Sequence, residues 1–160
     1  MPNELYGSIQ QAVLTHMQSI VRVAYTYVKN VHDAEDIAQD TFLSYMNHGK
    51  VFESAEHEKA WLIRVCINKS KNSLKSGWFK SRNPLPEGLS EEMPEENGVL
   101  QMVMQLEEKY RLPIHLFYYE GYDINEIAKL LSIPSGTVGT RLARARKNLK
   151  ALLGGEYFEG

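Results

Sequence analysis

The 160-residue sequence contains a single cysteine, Cys66, so no disulfide can form within the chain. It has no apolar run long enough to cross a bilayer and no charged-then-apolar leader, and we therefore expect a cytoplasmic protein without membrane insertion. No stretch alternates polar and apolar residues with period two, which predicts little or no sheet. Cys66 lies among Leu62, Ile63, Val65 and Ile67, a setting that predicts a buried, reduced thiol.

Charge is distributed unevenly along the chain, although the formal net charge is only −2. Every charged residue from Lys59 to Arg82 is basic, and every charged residue from Glu87 to Glu108 is acidic. No acidic residue occurs between Glu126 and Glu156, a stretch that is rich in arginine and lysine. Because local charge sets the attraction to phosphate, the sequence predicts two basic modules separated by an acidic spacer.

The apolar periodicity predicts an all-α fold with two small helical domains. In residues 1–82 we expect a first helix, or a closely spaced pair, then a helix that begins at Asp33 and a further one from about Glu56 to Leu74. Residues 83–98, with three prolines and a run of glutamates, predict a flexible acidic linker. Residues 99–160 predict a helix from Val99 that includes Leu106, a second from Leu112 to Tyr119, and two more. Domains this small use most of their apolar residues for their own cores, so no enclosed catalytic pocket, metal or cofactor is expected.

Residues 122–153 predict two short helices joined by a tight turn. Asp123 and Glu126 form a capping-box pattern that starts the first helix. Ser132-Ile133-Pro134 breaks it, and Ser135 is predicted to cap the second helix. The predicted inward stripe of the second helix consists of Val138, Leu142, Ala145, Leu149 and Leu152.

Cations lie largely off this stripe, at Arg141, Arg144, Arg146, Lys147 and Lys150. Basic residues near a helix C-terminus can simply complement the helix dipole. Here they follow a capped helix and a short turn, without an intervening acid. The segment therefore predicts a helix-turn-helix that binds DNA.

A second basic surface is predicted on the helix before the linker, and we call it the basic stripe. Its members share one helical face or lie at its N-terminal end: Lys59, Trp61, Arg64, Asn68, Lys71 and Lys75. Such a stripe suits phosphates, and Trp61 and Asn68 could stack on or hydrogen-bond to unstacked bases. For Trp61 by itself, a place in the core is favoured over contact with nucleic acid. For the stripe as a whole, nucleic-acid binding is favoured over a solvated face without a binding role. The loop from Gly49 to Ala55 could cup an extruded base.

The helix that begins at Asp33 carries the opposite charge, and we call its polar side the acidic face. Its members are Asp33, Glu35, Asp36, Gln39 and Asp40. Acids in a first turn complement the helix dipole, which explains part of the set. They could equally form a docking face for a basic partner. The residues alone leave these two interpretations open.

Three segments in this order and at this spacing resemble an extracytoplasmic-function (ECF) sigma factor of the bacterial sigma-70 family. They are Asp33–Met46 (DAEDIAQDTFLSYM), Ala60–Ser76 (AWLIRVCINKSKNSLKS) and Tyr110–Leu153. The resemblance covers nearly the whole chain. It implies a region 2-like domain at 1–82, a linker at 83–98 and a region 4-like domain at 99–160.

The resemblance further implies that the protein binds core RNA polymerase and directs it to promoters with −35 and −10 elements. The acidic face would dock on the largest polymerase subunit, and the basic stripe would engage the single-stranded −10 element. The duplex −35 element would be contacted by a group of residues that we call the recognition set: Ser135, Thr137, Gly139, Thr140, Arg141, Ala143, Arg144 and Lys147. An anti-sigma factor is a further implied partner, and a small-molecule substrate is not implied.

The recognition set departs from the family's pattern at Gly139 and Ala143, where many relatives carry longer side chains. Glycine also costs a helix about 1 kcal/mol relative to alanine. We therefore expect less hydrogen-bonded base readout and more reliance on DNA shape and backbone contacts.

Two other classes of function were weighed against this hypothesis. A metal-dependent phosphohydrolase could be built around His32 and Asp33. That chemistry needs further ligands, and no ligand-type spacing is found at the other histidines, His16, His48, His57 and His115. A stand-alone helix-turn-helix regulator would use the N-terminal module as a sensor or dimerisation domain. The basic stripe argues against that alternative, because a sensor does not need it.

Overall fold

The computed structural model describes residues 2–48, 51–76 and 98–154, with side chains from Ile9 onward. Over these ranges it is helical and contains no strand, in agreement with the predicted all-α class. The chain divides into two compact units, Met1–Glu92 and Met93–Gly160. The division falls within the predicted linker, which, apart from Gly98, lies outside the described residues.

The first unit consists of three helices that all pack against one another: α1 (Pro2–Val28), α2 (Val31–His48) and α3 (Ala55–Ser76). The N-terminal segment forms one long helix and not a pair. The core between the helices is apolar and includes the fully buried Ile20, Leu62 and Ile63. Burying such side chains stabilises the bundle by about 1.5–3 kcal/mol each.

Helix α2 begins two residues earlier than the sequence predicted. Its first turn is capped by Asn30, whose Oδ1 accepts a hydrogen bond from the Asp33 backbone N–H at 2.9 Å. The preceding Lys29 has φ 62°, which turns the chain sharply from α1 into α2. Asp33 is therefore the third residue of the helix and not its start, and its side chain is only 7% exposed.

The second unit consists of α4 (Val99–Val103), α5 (Glu108–Tyr118), α6 (Ile124–Leu131) and α7 (Ser135–Leu152). Helix α4 is a short piece that ends before Leu106, and α5 begins four residues before the predicted start. The connection between them is closed by buried Arg111, whose Nε donates to the Leu106 carbonyl at 2.8 Å. Helices α5 and α6 both pack against α7.

The predicted helix-turn-helix is present at α6 and α7. The capping box is complete: Asp123 Oδ1 accepts from the Glu126 N–H, and Glu126 Oε1 accepts from the Asp123 N–H. Ser132, with φ 57°, ends α6 in the left-handed conformation. The predicted cap at Ser135 is wrong, because Pro134 occupies the N-cap position and Ser135 is the first helical residue. The predicted inward stripe of α7 is buried as far as Leu149, whereas Leu152 is 53% exposed because it lies at the helix end.

Cys66 is buried in the first unit, as predicted, and its Sγ lies 3.5 Å from the Ile20 carbonyl oxygen. Burial raises the pKa of the thiol from 9.0 to about 12. A protonated thiol is a poor nucleophile, so the side chain acts as a small apolar residue of the core. Within the described ranges, no helix has the length and apolar character needed to cross a membrane.

This burial predicts how Cys66 affects reactivity and stability at high pH. In the native protein at pH 8 the thiol should not react with a thiol-specific reagent such as Ellman's reagent, but it should react on unfolding. Between pH 9 and pH 12 the unfolded state loses the thiol proton and the native state keeps it, so the free energy of unfolding should fall by about 1.4 kcal/mol per pH unit. A Cys66→Ala variant should lack this part of the decline in denaturant titrations. Rapid labelling of the native thiol would contradict the prediction.

Candidate nucleic-acid interface

The recognition set lies on the side of α7 that its buried stripe leaves open. Val138, Leu142, Ala145 and Leu149 face the interior of the unit. Five members of the set are exposed, and the other three (Thr137, Gly139 and Arg141) are partly exposed. Every member therefore reaches the surface, as contact with DNA requires.

The middle of this surface is occupied by small residues, so no long side chain projects from it. A Cβ added at Gly139 would meet no atom within 4 Å, so the position is open to solvent. The Thr140 hydroxyl donates to the Gly136 carbonyl at 3.0 Å, which uses its proton within the helix and leaves its oxygen as an acceptor. Arg144 and Lys147 are the long, exposed cations that project beyond this surface.

Arg146, another cation of α7, makes a hydrogen bond to another helix at the surface of the second unit. Its Nη1 donates to the Tyr118 hydroxyl of α5 at 3.2 Å. This bond connects α7 to α5 across the helix packing. Arg146 therefore differs from Arg144, which is exposed on the same helix.

The basic stripe follows the outer face of α3. Arg64, Asn68, Lys71 and Lys75 are exposed, whereas Lys59 and Trp61 are partly buried. The opposite side of the helix supplies the core residues Leu62, Ile63, Cys66, Ile67 and Ser70. Because helical side chains repeat every 3.6 residues, burial of this face places the exposed members of the stripe on the solvent side.

Trp61 belongs to a group of aromatic and imidazole rings that we call the ring cluster. Its indole lies 4.4 Å from the His48 ring, 5.7 Å from Phe52 and 6.2 Å from Tyr45, measured between ring centroids. Phe52 also stacks on Tyr45 and meets His57 edge-on. One side of the Trp61 ring is therefore packed, and the other is partly open. This placement is intermediate between the core role and the base-stacking role that the sequence allowed.

The ring cluster holds residues 51–54, the described part of the connection from α2 to α3. Ser54 caps α3 by accepting from the His57 N–H at 3.1 Å, and Phe52 is held among four rings. Val51, next to Phe52, is 94% exposed. Gly49 and Lys50 lie outside the described residues. The sequence reading missed the cluster as a unit, although the density of rings from Tyr45 to Trp61 was a signal for it.

The acidic face of α2 is exposed except at its first member. Glu35, Asp36, Gln39 and Asp40 are exposed, whereas Asp33 is buried at the helix start. One turn further on, Leu43 is 54% exposed. The face thus combines acidic and amide groups with an apolar side chain.

Two models of the sigma-70 family match the chain: sigma-70 region 2 over residues 12–79 and sigma-70 region 4 over residues 97–149. Similar proteins include the ECF RNA polymerase sigma factor SigW of Bacillus subtilis. It is 28% identical over 159 residues, which cover 86% of this chain and 84% of SigW. The ECF RNA polymerase sigma factor SigL of Mycobacterium tuberculosis is 29% identical, with the same two coverages. The chain belongs to the ECF sigma factors.

Two solved structures show the same fold as this sigma factor. RpoE in complex with the anti-sigma factor NepR from Bartonella quintana has a TM-score of 0.73 and 24% identity over 93% of this chain and 98% of RpoE. CnrH in complex with the cytosolic domain of CnrY has a TM-score of 0.64 and 22% identity over 94% of this chain and 90% of CnrH.

Family membership decides between the hypotheses that the sequence left open. As an ECF sigma factor, the protein binds DNA and directs promoter-specific transcription initiation. A stand-alone regulator is not favoured, because the N-terminal unit also matches a sigma region. Of the residues around which a phosphohydrolase could be built, His32 is exposed and Asp33 is buried. Within the described ranges, no group of three or more His, Cys, Asp or Glu side chains could hold a metal ion.

The exposure of Arg144 predicts that its loss weakens promoter use without harm to the fold. If the guanidinium contacts a base, Arg144→Ala should cost about 1–3 kcal/mol of binding in a manner that depends on the −35 sequence. Holoenzyme binding to a panel of −35 variants would measure this. Lys109→Ala, which removes an exposed cation of α5, is the control and should leave binding unchanged. A uniform loss across the panel would instead identify Arg144 as a phosphate contact.

Proposed function

We propose that the two exposed cationic surfaces divide promoter recognition between the units: the recognition set contacts the duplex −35 element, and the basic stripe contacts the −10 element. The observation that carries this proposal is that both surfaces lie outside an apolar core on helices within the matched sigma regions. We further propose domain limits of 1–82 and 99–160, with 83–98 as linker.

At the −35 element, α7 enters the major groove with its N-terminal half. Arg144 supplies the guanidinium that can bind a base edge, and Lys147 and Arg141 neutralise phosphates. The open surface at Gly139 and Ala143 offers no long side chain to the bases. Recognition there depends on groove shape and on contacts with the DNA backbone.

At the −10 element, α3 and the preceding loop hold separated strands. The cations of the basic stripe follow the phosphates, and the partly open Trp61 and the ring cluster offer surfaces on which an extruded base stacks. Unstacking costs a few kcal/mol per base step. Contacts made only with the opened strand offset this cost, so the protein favours promoters that melt easily.

The acidic face of α2 is the polymerase-docking surface of this proposal. Glu35, Asp36, Gln39 and Asp40 present acceptors for basic residues of core polymerase, and Leu43 adds an apolar contact. Asp33, although part of the predicted set, contributes through the start of α2 because its side chain is buried. Charge complementarity of this kind also raises the rate of encounter.

An anti-sigma factor is the second protein partner in this proposal. Its support is that the sigma factor RpoE, which has a similar fold, was solved in complex with the anti-sigma factor NepR. CnrH, also of similar fold, was solved in complex with the cytosolic domain of CnrY. The protein acts in the cytoplasm by binding alone. It catalyses no reaction and needs no cofactor or small-molecule substrate.

In vitro transcription tests the proposed function. Purified core RNA polymerase, with and without the protein, is supplied with a pool of promoter fragments from the genome that encodes the chain. New, discrete start sites that depend on the protein would support the proposal and reveal both promoter elements. Absence of start sites, together with footprints made by the protein alone, would move the function to that of a conventional regulator.

The docking surface predicts the effect of charge reversal on polymerase binding. Asp36→Arg combined with Asp40→Arg should abolish co-purification with core polymerase, because two acceptors become repulsive to a basic partner. The control reverses two other exposed acids of the first unit, Glu53→Arg with Glu56→Arg, and should still co-purify. Circular dichroism checks that both variants keep their helices. Undiminished co-purification of the first variant would refute the docking face.

A further inference from the structure

One carboxylate connects all three helices of the first unit. Glu58, in the first turns of α3, has Oε1 at 3.0 Å from His16 Nε2 of α1. The Tyr45 hydroxyl of α2 donates to its Oε2 at 2.8 Å. His16 and Tyr45 are buried, and the Glu58 side chain is 20% exposed. Hydrogen bonds to an ionised acceptor are short and strong, so this arrangement holds both partners firmly.

The Tyr45 ring packs against Phe52 and so also restrains the loop before α3. Phe52 stacks on it at 5.8 Å with an interplanar angle of 22°, and Trp61 and His48 meet the same ring at steeper angles. Phe52 also contacts the rings of His48, His57 and Trp61. The position of this loop therefore depends on where the Tyr45 ring lies.

Packing of the helices does not by itself explain a carboxylate at this place. The core of the same bundle is mainly apolar, and a partly buried carboxylate has a desolvation cost that its two hydrogen bonds offset. What the carboxylate adds is a fixed orientation of the Tyr45 side chain. It fixes the Tyr45 hydroxyl, and with it the plane of the ring that supports Phe52.

We propose that Glu58 is a positioning residue for −10 recognition: through Tyr45 it holds Phe52 and the attached loop in the arrangement that receives an extruded base. The inference rests on the proposed role of this loop at the −10 element. A loop already held in its bound arrangement loses less conformational entropy when it captures a base. Without the carboxylate bond, strand opening becomes harder while docking and −35 binding stay the same.

Two substitutions separate this role from a structural one. Tyr45→Phe removes only the hydroxyl and keeps the ring, and Glu58→Gln removes the charge but keeps an oxygen that accepts from Tyr45. Glu56→Gln is the matched control, since Glu56 is exposed on the same helix two residues earlier. Holoenzymes are compared on one promoter from the transcription screen, fully paired or with the −10 segment premelted by mismatches.

Tyr45→Phe should slow open-complex formation on the paired promoter by about tenfold, the effect of losing one hydrogen bond to a charged group. Glu58→Gln should have a smaller effect. On the premelted promoter both defects should nearly disappear, because the cost of opening has been removed. Equal losses on both templates, or no loss on either, would overturn the proposal. If the transcription screen yields no promoter that depends on the wild-type protein, the proposed function itself is refuted, and this inference with it.

A second readout needs no DNA. The chain has two tryptophans, so a Trp78→Phe background leaves Trp61 as the only one. Acrylamide should quench Trp61 fluorescence more strongly after Tyr45→Phe than before, and Glu56→Gln should cause no change. Unchanged quenching after Tyr45→Phe would show that the hydroxyl does not position the ring cluster, whatever the promoter assays show.

Discussion

Each unit must build its core from a few helices, and this constraint determines where the cations lie. Helix α3 buries Leu62, Ile63 and Ile67, and α7 buries Val138 and Leu142. When a helix buries one apolar face, its remaining side chains lie on the solvent side. On both helices, beyond the first turn of α3, every charged side chain is basic. Folding and phosphate binding are therefore specified by the same two stretches of sequence, and neither surface needs a pocket.

The division into two units explains how a chain with a net charge of −2 serves as a DNA-binding factor. Acidic residues of α2 and of the segment before α4 offset the cations of α3 and α7 in the net charge. Each cationic surface covers a few phosphates, so by itself it contributes modest and salt-sensitive affinity. Joint engagement on polymerase raises the effective concentration of each surface at its own element. Specificity then depends on both elements together.

The sequence predicted most features that depend on local pattern. It failed at one helix start, where a neighbouring cap was not recognised, and where distant segments meet. The capping box at Asp123 and the buried stripe of α7 follow from spacing alone, and both are present. Asp33 was expected on the surface, but a cap from Asn30 places it within the first turn, where its side chain is buried. The ring cluster forms only when the loop bearing Phe52 closes against α2 and α3. The periodicity of one segment cannot predict such a contact, because the contact depends on residues of other segments.

The central claim is that the two cationic surfaces act on DNA together, as parts of a polymerase holoenzyme. Footprinting of one promoter fragment by the free chain, by core polymerase and by the holoenzyme tests it most directly. The account predicts that the holoenzyme protects two separate segments, with reactive, unpaired bases in the downstream one, and that the free chain at the same concentration protects neither. Specific protection by the free chain, unchanged when polymerase is added, would contradict the account.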